Sequence, residues 1–149
     1  MSRENTKTKI VGAIFPILEE HVNNLFETGR NVFVKFTKLE LIEGALIVFY
    51  VSRRKLLIGE ARVAQIERLN PDVAWSRYNK RIFLDKKQYD EYVAISPIGK
   101  EKRKMREITV FELQTTRKYE KKVASIYTVT ASGRYLSNEM IDEIRKLSS

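Results

Sequence analysis

The sequence predicts an α+β fold, a small mixed β-barrel with short peripheral helices and a C-terminal helix. Three observations carry this. Apolar stretches of strand length dominate the middle of the chain, most plainly at residues 45–51. Short helix-start signals stand between them, at Asn70-Pro71-Asp72 and at Asp85 with Gln88. One further amphipathic segment follows Ser137. Strands interleaved with helices on 149 residues are enough for one domain with one core. The barrel core is expected over residues 9–130 and the terminal helix over 137–147.

Taken in order, residues 9–15 read as a first strand, with Ile10, Ala13, Ile14 and Phe15 apolar. Pro16 suits the first position of a helix. Leu18, Val22 and Leu25 then recur at helical spacing, while Glu19, Glu20 and Asn23 face out. Gly29 closes this helix in a left-handed conformation. Residues 31–37 form a second strand. Residues 45–51 are apolar at nearly every position, as in a strand covered on both faces. A turn at Ser52, Arg53, Arg54 and Lys55 leads into a return strand over residues 56–69, in which Gly59 marks a bulge or a close backbone approach.

Asn70 caps a helix that has proline at its first position and Asp72 in its first turn. Asp85 and Gln88 form a capping box for a second helix carrying Tyr89 and Tyr92. Residues 107–116 and 123–130 read as strands joined by a charged turn at 117–122. Ser137 caps the last helix, with Leu136 and Ile141 placed for a hydrophobic staple and Met140, Ile144 and Leu147 on the inner face. The lysine-rich run at 99–106 is expected to be a mobile loop.

Composition narrows the function. Hydrophobic residues make up 43% and charged residues 32%, a soluble globular balance. With no cysteine, disulfides and thiolate metal sites are excluded. The first nine residues have no apolar run of the secretory kind, and no apolar stretch is long enough to span a bilayer as a helix. A cytoplasmic protein without a membrane partner is expected. The single histidine, His21, has no second histidine or cysteine to build a metal cluster or nucleophile system with. The glycines are scattered, and none opens a phosphate-cradling loop. No catalytic residue, metal site or cofactor is therefore assigned, and the oligomeric state is left open.

Lys and Arg number 28 against 19 acidic residues, a formal charge of +9. Such a field draws polyanions. The cations fall into three clusters: Arg53, Arg54 and Lys55; Lys100, Lys102, Arg103, Lys104 and Arg106; and Arg117, Lys118, Lys121 and Lys122. Gathered on one barrel rim they form a phosphate-holding surface; dispersed, they serve only solvation. Trp75 and Tyr78, three apart on a helix beside Arg77, Lys80 and Arg81, either stack on a base or anchor the helix to the core.

The order of helix, Gly29, strand and hairpin ending in Ile58-Gly59-Glu60-Ala61-Arg62-Val63 resembles the PUA-like superfamily, which includes PUA, ASCH and EVE domains. The block from Trp75 to Tyr78 and from Leu84 to Tyr92 is similar to its members too. The match looks nearest to a mostly archaeal family within that group. Counted from Gly29, the ASCH signature positions hold Asn31, Val34 and Phe36, with Lys35 one residue from the basic position. The resemblance implies a PUA-like pseudobarrel that binds RNA or a modified nucleobase in a cleft.

The expected function is therefore a noncatalytic nucleic-acid-binding module, with RNA or a nucleotide as partner. Arg30 and Lys35 would line the cleft, and Trp75 or Tyr78 would supply a stacking face. Arg53, Arg54, Lys55, Arg81, Lys104 and Arg106 would hold phosphate. The resemblance also leaves open an amidohydrolase-like enzyme acting on a modified nucleoside, with Lys35, Thr37 and Glu40 together. A third possibility is a protein-interaction domain whose charge serves solubility.

Overall fold

The computed structural model describes residues 9–94 and 106–149. Six strands form one sheet: β1 Ile10–Ile17, β2 Val32–Lys35, β3 Leu46–Val51, β4 Leu56–Leu69, β5 Ile108–Ala124 and β6 Arg134–Ser137. Among the described residues four short helices accompany them: α1 Val22–Phe26, which continues a 3₁₀ turn at Glu19–His21, then α2 Pro71–Tyr78, α3 Lys86–Ala94 and α4 Asn138–Ser148. The strand order is β2-β5-β4-β3-β1-β6, antiparallel throughout except for the parallel pair of β1 and β3.

The sheet is curled into a half-barrel. Phe15 on β1 and Phe33 on β2 have three strands between them in the sheet, yet their ring centroids lie 5.8 Å apart. Phe33 also meets Phe49 of β3 at 5.2 Å, and Phe15 meets Phe111 of β5 at 5.6 Å. These aromatic rings fill the concave side. Each fully buried ring contributes roughly 1.5–3 kcal/mol by leaving water.

The apolar run at β3 is covered on both faces, as its composition requires. Ile47, Phe49 and Val51 point into the barrel core. Leu46, Val48 and Tyr50 join a second cluster on the convex side, with Leu136, Ile141 and Ile144. Helix α4 is the cover there, held by a buried acid. Glu60 accepts hydrogen bonds from Arg145 at 2.6 Å and Tyr119 at 2.9 Å, and pairs with Arg117 at 3.3 Å.

The local signals act as their chemistry dictates. Asn70 accepts a hydrogen bond from the Asp72 amide at 2.9 Å, and Pro71 opens α2. Asp85 and Gln88 bond reciprocally, each side chain to the other's backbone amide, at 2.8 and 3.0 Å. Ser137 accepts from the Met140 amide at 3.2 Å, with Leu136 and Ile141 buried together. Gly59 sits at a register shift where a Cβ would lie 2.7 Å from the Arg117 carbonyl oxygen and 2.6 Å from the Phe26 ring.

Several expectations are corrected. Pro16 lies inside β1 rather than opening a helix. β6 stops pairing at Ile14, so β1 is an edge on that side beyond it, where a missing N–H costs no ladder bond. Leu18 is consequently outside the helix and exposed. The first helix ends at Phe26, and Gly29, at φ 77°, makes the left-handed turn beyond it. The expected hairpin at 117–122 does not exist: β5 runs unbroken for 17 residues. Residues 125–133 are loop, and β6 supplies the last strand. Leu147 is exposed; Ile141, Ile144 and Ser148 form the inward stripe of α4. The lysine-rich run at 99–105 lies outside the described residues.

Candidate functional site

Where the C-terminal ends of β1 and β2 converge, the barrel opens into a cavity of about 530 Å³. One wall is the segment from Pro16 to His21, entering α1; another is α3, through Gln88, Glu91 and Tyr92. Phe83 and Leu84 connect these walls, and Ser52 of the β3–β4 turn stands at the rim.

Lys35 is the polar centre of this cavity. It ends β2, is only 9% exposed, and donates from Nζ to the Pro16 carbonyl oxygen at 3.1 Å. Its ammonium lies 5.9 Å from the centre of the Tyr92 ring. Burying an ammonium is costly without such compensation. Tyr92 is fixed in turn by its hydroxyl, which accepts from the Phe36 amide at 2.9 Å, and its ring packs on Phe36 at 5.4 Å. Arg106 extends this chain outward, with its guanidinium 5.9 Å from the Phe36 ring centre.

His21 borders the same cavity, its ring edge-on to Phe83 at 6.0 Å. Burial holds its pKa below the ordinary histidine value, against the opposing pull of Glu20 and Asp85. At neutral pH it is an uncharged imidazole, offering one donor and one acceptor nitrogen. The cavity therefore sets a cation, a neutral imidazole, a hydroxyl and the carboxylates of Glu20 and Glu91 among apolar walls. A pocket of this size with few polar groups suits a flat, polar-edged small ligand or a nucleobase.

The other expected site residues fall in different places. Arg30 is half-buried beside Gly29, outside the cavity lining. Arg53, Arg54 and Lys55 form the exposed β3–β4 turn after Ser52 and are not among the residues lining the cavity; Arg54 is paired to Glu19 at 3.3 Å. Trp75 does not reach the cavity: it is half-buried against Tyr89, ring centres 5.0 Å apart, with the Lys86 ammonium over it at 5.3 Å. Tyr78 is 7% exposed, and its hydroxyl is held by Glu67 and Glu112. Burial and those carboxylates push its pKa up to about 12. Arg81 covers the Tyr78 ring at 5.7 Å and pairs with Glu112 at 2.8 Å. The surroundings of both aromatics are those of packing, with cations already seated on their faces. Lys104 lies outside the described residues.

Thr37 and Glu40 do not join Lys35 in the cavity. The Thr37 hydroxyl donates to the Ser132 carbonyl at 2.7 Å, and Glu40 pairs with Arg68 at 2.8 Å beside a separate open groove. Of the three residues that the resemblance would set together, only Lys35 lines the cavity. Sequence reasoning missed His21, Phe83 and Tyr92 as cavity residues. For Tyr92 the signal was present: a capping box at Asp85 fixes the phase of α3, which separates buried Tyr89 from half-buried Tyr92.

A curled mixed sheet with peripheral helices is a PUA-like fold. The likeness to solved structures is consistent with this. An ASCH protein from Zymomonas mobilis superimposes with a TM-score of 0.75 at 20% identity, covering 93% of this chain and 96% of that one. The N-terminal domain of McrB from Staphylothermus marinus gives a TM-score of 0.54 at 18% identity, covering 93% and 97%. Residues 10–138 match the family described as Domain of unknown function (DUF365), and the chain belongs to that family. A relative, the Uncharacterized protein MJECS03 of Methanocaldococcus jannaschii, is 29% identical over 104 residues, 67% of this chain and 96% of that protein.

Proposed function

We propose that this protein binds single-stranded RNA, receiving one base in the cavity at Lys35 while the surrounding cations hold phosphate. The observation that carries the reading is the buried Lys35 ammonium, presented between apolar walls with the neutral His21 ring and Tyr92 beside it. An ammonium in that position recognises carbonyl or ring-nitrogen acceptors on a base edge. The imidazole, the Phe83 ring and the Tyr92 ring give the base its flat surroundings. Arg53, Arg54 and Lys55, in the turn that follows Ser52, and Arg106 beyond Phe36 would meet the backbone on either side. The formal charge of +9 favours such a partner at long range.

The test is a salt-dependent titration with a 12-nucleotide single-stranded RNA. With about four phosphates engaged, log K is expected to fall against log salt with a slope of roughly −3. Neutralising Arg53, Arg54 and Lys55 together flattens that slope. Absence of RNA binding at low salt removes the reading.

A further inference from the structure

A second, smaller pocket of about 210 Å³ lies on the other side of the Glu19–His21 turn from the Lys35 cavity. Its apolar floor includes Val22, Val51 and Ile58, and its polar rim is made by Arg54, Lys118 and Lys122 with Glu19. The two lysines come from the far half of β5. There the register sets Gly59 opposite Lys118 and Leu57 opposite Val123, so residues 119–122 bulge out against Ile58 alone, close to the β3–β4 turn. Both lysines and Arg54 line the pocket. What looked like two separate basic clusters in the sequence is one three-cation rim in the fold.

The cations of this rim are only loosely engaged. Arg54 meets Glu19 at 3.3 Å and Lys118 meets Glu27 at 3.4 Å, both pairs largely exposed. Among the described residues Lys122 makes no ion pair. Exposed pairs of this kind hold their partners weakly and exchange readily for a stronger anion. A phosphate oxygen, with more charge and more acceptor sites than one carboxylate, competes well for such donors.

We propose that Arg54, Lys118 and Lys122 form a backbone-phosphate subsite for the strand whose base occupies the Lys35 cavity. The 3₁₀ turn and α1 separate the two pockets: Glu20 and His21 face the cavity, and Glu19 and Val22 face the subsite. Ser52 lines the first and Arg54 the second, two residues apart in one turn. A chain leaving the cavity over this ridge reaches the three cations directly. This rests on the RNA-binding reading above and adds to it a direction for the strand, toward the far end of β5 rather than toward α2.

The experiment titrates the full chain with the same 12-nucleotide RNA over a salt series, using wild type, Lys118→Gln/Lys122→Gln, the charge-matched control Lys38→Gln/Lys146→Gln, and Lys35→Met. Circular dichroism melts show that each variant is folded. The Lys118→Gln/Lys122→Gln pair is expected to reduce the magnitude of the log K against log salt slope by about 0.7–1.4, as for one or two lost phosphate contacts. The control pair leaves the slope unchanged. An unaltered slope in Lys118→Gln/Lys122→Gln, or an equal reduction in the control, overturns the subsite and leaves RNA binding standing. A reduced slope together with unaltered binding by Lys35→Met keeps a phosphate contact at Lys118 and Lys122 but overturns the base-holding cavity, and with it the strand path from the cavity to the subsite. Wild type that binds no RNA at low salt overturns both.

Discussion

Lys35 and Pro16 are joined across the mouth of the barrel by a 3.1 Å hydrogen bond from the lysine ammonium to the proline carbonyl. Their strands, β2 and β1, have three others between them in the sheet, so this bond closes the open side of the curl at the point where the cavity forms. Pro16 is unpaired on its β6 side, and its carbonyl accepts a side chain from across the barrel.

The first prediction follows from that bond. Lys35→Met keeps the apolar stem and removes the charge. RNA binding is expected to weaken by roughly 1.5–3 kcal/mol, the usual scale for losing a hydrogen bond to a charged group. The variant should stay folded, because Phe15, Phe33 and Phe49 still pack beneath it. Anisotropy titration and a thermal melt on the same sample measure both quantities.

Trp75 tests packing against recognition. With its ring on Tyr89 and half-buried, Trp75→Ala is expected to destabilise the fold by about 2 kcal/mol, below the cost of a fully buried aromatic. RNA affinity should be unchanged under folding conditions. Urea unfolding followed by circular dichroism gives the first number. The wild-type tryptophan emission, which comes from this residue alone, should not shift when RNA is added.

Glu60 links the convex layer to pH. Burial alone would raise its pKa, but hydrogen bonds from Arg145 and Tyr119, with the charges of Arg145 and Arg117, hold it below the ordinary carboxylate value. A carboxyl whose folded pKa is depressed stabilises the fold fully above its unfolded pKa, about 4.3. That stabilisation is lost as pH falls from there through the folded pKa. Glu60→Gln is expected to cost about 2 kcal/mol at pH 7, the scale of a hydrogen bond to a charged group, and to flatten stability against pH below about 4.3. Denaturant midpoints of both proteins across the acid range measure this. Parallel curves for wild type and variant would place the acid sensitivity elsewhere.

How much of this was legible in the sequence differs by element. The caps at Asn70, Asp85 and Ser137 were readable because each is a local side-chain bond to a nearby amide. The two-faced burial of β3 was readable from composition alone. β5 was misread because Arg117, Lys118, Lys121 and Lys122 were taken for a turn. That segment holds no Gly, Pro, Asn or Asp, and charge is compatible with a strand whose outer half faces water. Only Tyr119 and Val123 point inward there. The cavity was half legible. Lys35 is conspicuous as a cation ending an apolar strand. Its neighbours His21, Phe83 and Tyr92 come from three distant segments, and only the curl of the sheet brings them together.

The placement of a base beside Lys35 is tested most directly by backbone amide NMR, titrating labelled protein with a single-stranded RNA pentamer. The largest shifts are expected at Ile17 to His21, Lys35, Phe83 to Gln88 and Tyr92, the residues around the cavity. Shifts confined to the Leu39–Glu43 groove beside Arg68, or to the exposed face of α4, with the cavity residues unmoved, would contradict it.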